Sequence, residues 1–252
     1  MQIGAQLFSL RDQCRTPGEI REAFRRCREM GYQVVQASAI GPIDPYELRD
    51  ISQEFSLPVT VTHTAPDRLE NDLDRVIEEH KIYGCGVIGL GMMPKVFRDE
   101  TMAGYEAFLR LYEPIQKKIE DAGLRFAYHN HAFEFKPLDN GLRIFDHMTE
   151  YCAFDIIADV CWIRVGGEDV PKMLRRLKGR LLNCHLKDIK GLASRDFCPL
   201  GEGVVDIPEA LAALEECGCA YAHVEQDNAT DAPDPFDEMR RSADYLKQKG
   251  AL

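Results

Sequence analysis

The sequence lacks the features of a membrane protein and of a disulfide-stabilised protein. No apolar run approaches the length needed to span a bilayer, and the opening residues MQIGAQLFSLRDQ contain no basic segment followed by an apolar one. The nine cysteines are scattered and form no CxxC pair, which predicts reduced thiols rather than a structural zinc site or a disulfide framework. We therefore expect a cytoplasmic protein without a membrane partner.

Basic residues are also in deficit. The chain has 31 Lys and Arg against 42 Asp and Glu, which gives a formal net charge of −11. Such an excess of negative charge repels phosphate backbones, so nucleic acid is not an expected partner. The apolar content of 45% and the charged content of 29% are typical of a globular protein.

No Pro/Ser-rich linker or block of like charge divides the chain, which predicts a single domain over residues 1–252. Short apolar runs alternate with longer amphipathic stretches, the pattern of parallel strands connected by crossover helices. The eight strand candidates are Ile3–Leu7, Gln33–Ala37, Val59–His63, Val87–Leu90, Arg125–Asn130, Phe154–Asp159, Leu181–Lys187 and Tyr221–Glu225.

Eight strand-helix units without a boundary favour a single (β/α)8 barrel, the TIM barrel of the α/β class, over an open α/β sheet. The glycine-rich dinucleotide fingerprint of many open sheets is missing after the first strand. In such a barrel, the functional side chains lie on the loops at the carboxyl ends of the strands. Those strand ends are therefore where a site is expected.

Ionisable residues are concentrated at the predicted strand ends. Buried carboxylates and imidazoles are costly unless they are paired or bind a metal, so their convergence predicts one divalent ion. A mixed set of carboxylates and imidazole suits Mn²⁺, which we favour, as well as Mg²⁺, Co²⁺ or Zn²⁺. The residues are Thr62, His63, His129, Asn130, His131, Glu134, Asp159, His185, Lys187 and Glu225.

Five motifs link these strand ends to a known family. They are YHNHAFEF (Tyr128–Phe135), DVCW followed by VGGED (Asp159–Asp169), CHLKD (Cys184–Asp188), LGEGVVDI (Leu200–Ile207) and HVEQD (His223–Asp227). With them, the chain resembles the sugar phosphate isomerase/epimerase group of the xylose isomerase-like barrel superfamily. The resemblance extends over essentially the whole chain, from AQLFSLRD near its start to SADYL near its end.

The resemblance implies a set of metal ligands. Asp159, His185 and Glu225 correspond to the aspartate, the histidine and the final glutamate that bind metal in tagatose and psicose epimerases. Those epimerases carry a further glutamate at the end of the fifth strand, where this chain has Tyr128 or His129. We assign the fourth ligand to Glu134, which can reach back from the following loop.

The same reading assigns proton transfer to residues beside the ligands. His131 is the candidate general base, and His129 is a candidate second ligand or orienting group. The sequence leaves open the reverse assignment of these two roles. Glu134 and Glu225 are candidate catalytic carboxylates. Lys187 lies two residues after His185 and so on the same strand face, where it could bind a substrate hydroxyl, a developing oxyanion or a phosphate.

Several other residues are candidates for contacts with substrate. Trp162 is expected to form an apolar wall for a sugar face, and His63 and His129 to line the pocket. Glu202 in the LGEG segment is expected to close over the substrate, although that segment also reads as a tight turn. We expect His223 to fill the barrel beneath Glu225.

The acidic segment Asp227–Asp237 reads as a solvated loop. It contains two prolines and no glycine, which is incompatible with an EF-hand turn.

The expected function is metal-dependent isomerisation or epimerisation of a sugar or keto-sugar through a metal-stabilised enediolate. The main alternative is a keto-sugar lyase or hydratase acting on a 3-keto-glycoside, because histidines replace the epimerase glutamate. An apurinic-site endonuclease is disfavoured, since Trp162 stands where those nucleases carry a histidine. A non-catalytic sugar-binding barrel is disfavoured because all four candidate ligands are retained. Residue types leave the oligomeric state open, a homo-oligomer included.

Overall fold

The computed structural model describes all 252 residues, and eight of its strands close into a parallel barrel in the spatial order β1-β10-β7-β6-β5-β4-β3-β2. The prediction of a single (β/α)8 barrel is therefore confirmed. The barrel strands are β1 (Gln2–Gln6), β2 (Val34–Ser38), β3 (Val59–His63), β4 (Val87–Leu90), β5 (Arg125–His129), β6 (Asp155–Asp159), β7 (Leu181–Leu186) and β10 (Tyr221–Val224). Two short strands outside the barrel, β8 (Asp188–Ile189) and β9 (Phe197–Cys198), pair antiparallel.

Two of the eight predicted strands, Val59–His63 and Val87–Leu90, match the structure at both ends. The other six differ by one residue at one or both ends, because ladder pairing with neighbouring strands, rather than residue type, defines where a strand stops. The antiparallel pair of β8 and β9 was not predicted.

Helices follow the strands around the outside of the barrel. They are α1 (Pro17–Met30), α2 (Pro45–Phe55), α3 (Pro66–Asn71), α4 (Leu73–Tyr83), α5 (Met102–Asp121), α6 (Ile144–Tyr151), α7 (Val160–Val165), α8 (Val170–Arg176), α9 (Ile207–Cys217) and α10 (Pro235–Gln248). Short 3₁₀ helices occupy Leu7–Gln13, Lys95–Phe97, Phe133–Phe135 and Ala229–Asp231. No helix here has both the length and the apolar composition that crossing a bilayer requires.

Local chemistry explains where α1 begins and ends. The Thr16 side chain accepts a hydrogen bond from the Glu19 backbone N–H, and the Glu19 carboxylate accepts one from the Thr16 N–H, which together form a capping box. Pro17 occupies the first turn, where a missing N–H costs nothing. Gly31 ends the helix in the left-handed region at φ 101°.

Polar side chains fill part of the barrel interior below the site. The Asn183 amide donates to Gln36 Oε1 over 3.2 Å, and its own oxygen lies 2.8 Å from His223 Nδ1. His223 Nε2 in turn lies 3.1 Å from the Thr60 hydroxyl. His223 therefore fills the barrel beneath Glu225, as expected, and belongs to a hydrogen-bonded network that the sequence did not reveal.

The LGEG segment is held by one buried carboxylate. The Asp188 side chain accepts hydrogen bonds of 3.0 Å from the backbone N–H groups of Gly201, Gly203 and Val205. A Cβ at Gly203 would collide with that carboxylate, so only glycine fits there. Gly201 adopts φ 84°, which agrees with the tight-turn reading of this segment.

Candidate metal centre at the carboxyl end of the barrel

Four buried side chains converge at the carboxyl ends of neighbouring strands. His129 ends β5, Asp159 ends β6, His185 lies near the end of β7, and Glu225 directly follows β10. One potential ligand atom from each of the four lies within 4.8 Å of the corresponding atoms of the others. Three of these residues are ligands in the prediction from sequence, and His129 is the fourth member of the cluster.

The tautomer of His185 follows from its partner. His185 Nε2 lies 2.8 Å from Gln36 Oε1, an oxygen that can only accept, so Nε2 carries the proton and donates. The lone pair is then on Nδ1, which points into the cluster. Gln36 therefore fixes both the ring orientation and the protonation state that a metal ligand needs.

His129 is oriented in the same way by the backbone. Its Nδ1 lies 2.8 Å from the carbonyl oxygen of Gly91 and therefore donates to it. The other ring nitrogen, Nε2, faces Asp159 Oδ2 over 3.4 Å. Both imidazoles thus present a lone pair to the cluster when they are neutral.

Acceptor atoms face one another across the cluster, and this tests whether a metal fits. The buried His185 Nδ1 lies 2.9 Å from Glu225 Oε2 and has no hydrogen-bond partner, while Glu225 Oε2 has the Lys187 ammonium at 2.8 Å. Two lone pairs at that distance repel unless a cation lies between them or beside them. Two imidazole nitrogens and two carboxylates suit a borderline divalent ion, so the donor set fits the implied metal.

The carboxylates of the cluster remain ionised despite their burial. Burial opposes ionisation of Asp159, but the ammonium of Lys187 and the His129 ring outweigh it and hold the pKa at about 2. Burial also opposes ionisation of Glu225, where Lys187 and His185 prevail and keep the pKa well below its usual range. Two anionic ligands are therefore available at neutral pH.

The structure differs from the prediction at Glu134. This residue lies in the 3₁₀ turn Phe133–Phe135, which directs its carboxylate away from the cluster. Glu134 Oε1 accepts a 2.6 Å hydrogen bond from the Tyr128 hydroxyl, and Oε2 accepts one of 2.8 Å from the His131 backbone N–H. Burial, against those hydrogen bonds, raises the pKa of Glu134 to about 7. Glu134 therefore lies outside the cluster of potential ligand atoms, in which His129 is found instead.

His131 lies beside the cluster, facing the cavity. Its ring centroid is 4.7 Å from that of His129 and 5.5 Å from that of Trp162. Its Nδ1 is buried without a hydrogen-bond partner. Burial and the neighbouring His129 lower the pKa of His131 well below its ordinary value, which keeps the ring neutral.

Lys187 and Asp227 complete the charged centre. Lys187 Nζ lies 3.1 Å from Asp159 Oδ2, 2.8 Å from Glu225 Oε2 and 2.8 Å from Asp227 Oδ1. The sequence predicts that Asp227 belongs to a solvated loop, whereas in the structure it pairs with Lys187 and lines the cavity. Burial, against the attraction of Lys187, raises the pKa of Asp227.

A cavity of about 540 Å³ opens onto this centre. Its wall includes His63, whose ring centroid lies 5.0 Å from that of His129 and 5.3 Å from that of His185. Glu202, expected to close over the substrate, does not line the cavity and instead pairs with Arg241 at the surface. Trp162 packs against His131 behind the cavity wall.

Sequence reasoning assigned no supporting role to three residues around the centre. Gln36 orients His185, and Tyr128 binds Glu134. Asn130 Oδ1 accepts the Asp159 N–H over 3.0 Å. For other residues the alternation of strand faces carried a signal, since Asn183, His185 and Lys187 are spaced by two, as are His223, Glu225 and Asp227.

Fold and site together define a (β/α)8 barrel with a polar, metal-competent centre at the carboxyl ends of its strands. The chain belongs to the xylose isomerase-like TIM barrel family, whose model matches residues 24–249. No curated protein matches the sequence significantly.

Solved structures share this fold at low sequence identity. A sugar phosphate isomerase/epimerase from Parabacteroides distasonis superposes with a TM-score of 0.82 at 18% identity, covering 98% of both chains. A D-allulose 3-epimerase from Methylomonas sp. gives 0.72 at 14% identity, covering 99% of this chain and 98% of that one. The probable 3-DHS dehydratase of Bacillus anthracis gives 0.74 at 14% identity, covering 98% and 99%. At these identities the similarity establishes the fold.

Proposed function

We propose that this protein is a divalent-metal-dependent isomerase or epimerase of a sugar or keto-sugar. The observation that carries the proposal is the cluster of His129, Asp159, His185 and Glu225, in which one potential ligand atom from each buried side chain converges on one point. The sugar phosphate isomerase/epimerase and the allulose epimerase named above share the fold, and their names support the same class of reaction.

The chemistry begins with removal of a proton from the carbon beside a carbonyl group. A divalent ion held by the four ligands would polarise the carbonyl and neutralise the enediolate that forms. His131 is neutral and faces the cavity with a free Nδ1, so it is the proposed base that takes this proton and returns it to the neighbouring position or to the other face. Lys187 is the proposed donor to a substrate oxygen.

The nature of the ion and the cellular setting are part of the proposal. Two imidazoles and two carboxylates bind Mn²⁺, Co²⁺ and Zn²⁺ well, and we favour Mn²⁺. All nine cysteines are free, which supports a reducing compartment such as the cytoplasm. The proposed partner is a small sugar or keto-sugar rather than nucleic acid.

Proton exchange with solvent tests the proposal directly. The Mn²⁺-loaded protein is incubated in D₂O with free ketohexoses, among them D-fructose and D-allulose, and the carbon beside the carbonyl is examined for deuterium. We expect incorporation with the wild type and none with Asp159→Asn, which removes a ligand. A metal-loaded wild type that exchanges no proton of any sugar offered would refute the proposal.

A keto-sugar lyase or hydratase is the second candidate. The observation that favours it is the end of β5, which presents imidazoles from His129 and His131 and no carboxylate to the cavity. Elimination needs one base for the proton and one acid for the departing oxygen, roles that suit a neutral histidine and a lysine ammonium. Incubation with a 3-keto-glucoside distinguishes the two, because the lyase releases the aglycone whereas the epimerase only exchanges deuterium.

A further inference from the structure

Lys187 is an unusual component of a candidate metal centre. Its ammonium is buried and lies 3.1 Å from Asp159 Oδ2 and 2.8 Å from Glu225 Oε2. These two oxygens belong to the carboxylates that face His129 and His185 across the cluster. The cation of the lysine and any bound divalent ion would therefore share the same anionic partners.

The surroundings hold the ammonium in this position. The ring centroids of Trp162 and Phe197 both lie 5.5 Å from Lys187 Nζ, close enough for their electron-rich faces to attract the charge. Because both rings are buried, they also keep water away from the ammonium. Lys187 thus acts as a fixed positive charge beside the cluster.

Asp227 attracts the same ammonium from the cavity side. Its Oδ1 lies 2.8 Å from Lys187 Nζ, and its side chain, 29% exposed, lines the cavity. The Arg11 guanidinium donates to the backbone carbonyl of Asp227 over 2.9 Å and to the Thr230 hydroxyl over 2.8 Å. The segment that carries Asp227 is therefore fixed to the 3₁₀ helix Leu7–Gln13, which follows the neighbouring strand β1.

We propose that Lys187 lowers the affinity of the centre for divalent cations and that Asp227 limits this effect by drawing the ammonium toward the cavity. Like charges a few ångströms apart in a poorly hydrated site repel strongly, so the lysine works against the ion. Asp227 is a positioning residue, since it acts through Lys187 and adds a negative charge of its own. The inference rests on the metal centre of the proposed function but not on the reaction.

Two substitutions should change metal affinity in opposite directions. In Lys187→Met the repulsion is lost, and we expect the dissociation constant for Mn²⁺, measured by calorimetry on the full chain, to fall at least about tenfold. In Asp227→Asn the ammonium turns fully to Asp159 and Glu225, and the constant should rise by a similar factor. General damage to the fold would weaken binding in both variants, so tighter binding by Lys187→Met is diagnostic.

Three further variants serve as controls. Lys187→Gln repeats the loss of charge with a polar side chain, in case methionine prevents folding. Asp227→Glu keeps the negative charge and should restore the wild-type affinity. Lys190→Met removes an exposed lysine three residues along the chain, paired with Asp196 over 3.4 Å, and should leave Mn²⁺ binding unchanged.

The outcomes separate this inference from the proposed function. Equal or weaker Mn²⁺ binding by both Lys187 variants would overturn the inference. A wild type that binds no Mn²⁺ would overturn it and the metal-dependent function together. If Mn²⁺ affinity rises in Lys187→Met and falls in Asp227→Asn, but no sugar exchanges deuterium, the inference is supported and the isomerase proposal is refuted.

Discussion

His185 Nδ1 and Glu225 Oε2 lie 2.9 Å apart in the barrel mouth, and the nitrogen has no hydrogen-bond partner. The proton of the imidazole is on the opposite nitrogen, where Gln36 accepts it. A buried nitrogen lone pair and a buried carboxylate oxygen are thus held face to face. The polar network of the barrel interior creates this contact, and the proposed metal site depends on it.

Removing the acceptor at Gln36 should weaken metal binding. In Gln36→Leu the proton on His185 Nε2 loses its partner, so the ring can rotate or take the other tautomer. Loss of such an orienting hydrogen bond lowers metal affinity by about 10- to 100-fold, which calorimetric titration with Mn²⁺ would measure. Gln33→Leu, at an exposed position just before β2, is the matched control. An unchanged Mn²⁺ affinity in Gln36→Leu would count against the network.

Removing the charge of Glu134 and removing that of Asp159 should have different effects on the amount of bound Mn²⁺. Glu134→Gln should keep about one bound equivalent of Mn²⁺, because its carboxylate is occupied by Tyr128 and the His131 backbone. Asp159→Asn should lose the ion, since Asp159 belongs to the cluster. Metal content after dialysis, measured by atomic spectroscopy, checks both. Loss of metal in Glu134→Gln would restore the original assignment of Glu134 as a ligand.

Substitution of His129, at the end of β5, and of His131, in the loop that follows, should have different effects on metal binding and on proton transfer. His129→Gln should lose Mn²⁺, whereas His131→Gln should retain it and slow deuterium exchange by about 100-fold or more, the usual contribution of a general base. Exchange rates at saturating metal and substrate provide the measurement. If His131→Gln exchanged at the wild-type rate, the base would have to be another residue.

His80, which is not part of the cluster, should make stability depend on pH. Burial lowers the pKa of His80 to about 4 from an ordinary value of 6.5, while a hydrogen bond to the Val76 carbonyl opposes the shift. Between these values the unfolded chain binds a proton that the folded chain does not, so the free energy of unfolding falls as the pH drops. The loss amounts to at most about 3 kcal/mol.

Urea unfolding at pH 7 and pH 4.5 measures this contribution. His80→Gln keeps a donor for Val76 and an acceptor for Thr62, but it has no titrating ring. The variant should therefore lose less stability than the wild type between the two pH values. An identical loss in both proteins would exclude His80 as the source.

Most of the ligand set was accessible from the sequence, and the reason is geometric. Asp159, His185 and Glu225 occur at or just after strands whose apolar runs are easily recognised. Parallel strands of a barrel bring their carboxyl ends to one rim, so any three such residues are expected to lie close together. The five motifs, in the order found in the resembled family, then distinguished these three candidate ligands from the other polar residues at strand ends.

The fourth ligand could not be assigned in this way. Glu134 and His129 are both near the end of β5, and both are of a type that binds metals. The choice depends on the 3₁₀ turn Phe133–Phe135, which carries Glu134 back onto Tyr128. Phe135 of that turn packs against Phe145, 4.5 Å between ring centroids, a tertiary contact that residue types alone do not specify.

The position of Asp227 in the site was indicated by its spacing from Glu225, but the composition of the segment that follows pointed to a loop in solvent. It lies two residues after Glu225, the spacing at which side chains of an extended chain share a face. The prolines and acidic residues that follow it favoured a solvated loop instead. Only the tertiary structure shows the partner, Lys187, that draws this one aspartate inward.

The sequence by itself determined the barrel, the rim on which the site lies and three of the residues in its cluster, because strand periodicity and strand ends are local properties. The tertiary structure decided three further points. His129 rather than Glu134 joins the cluster, Asp227 pairs with Lys187, and the proton of neutral His185 is on Nε2. Each of these depends on which atoms approach within hydrogen-bond distance across the barrel. Such contacts join segments that are remote in the chain, and residue order does not specify them.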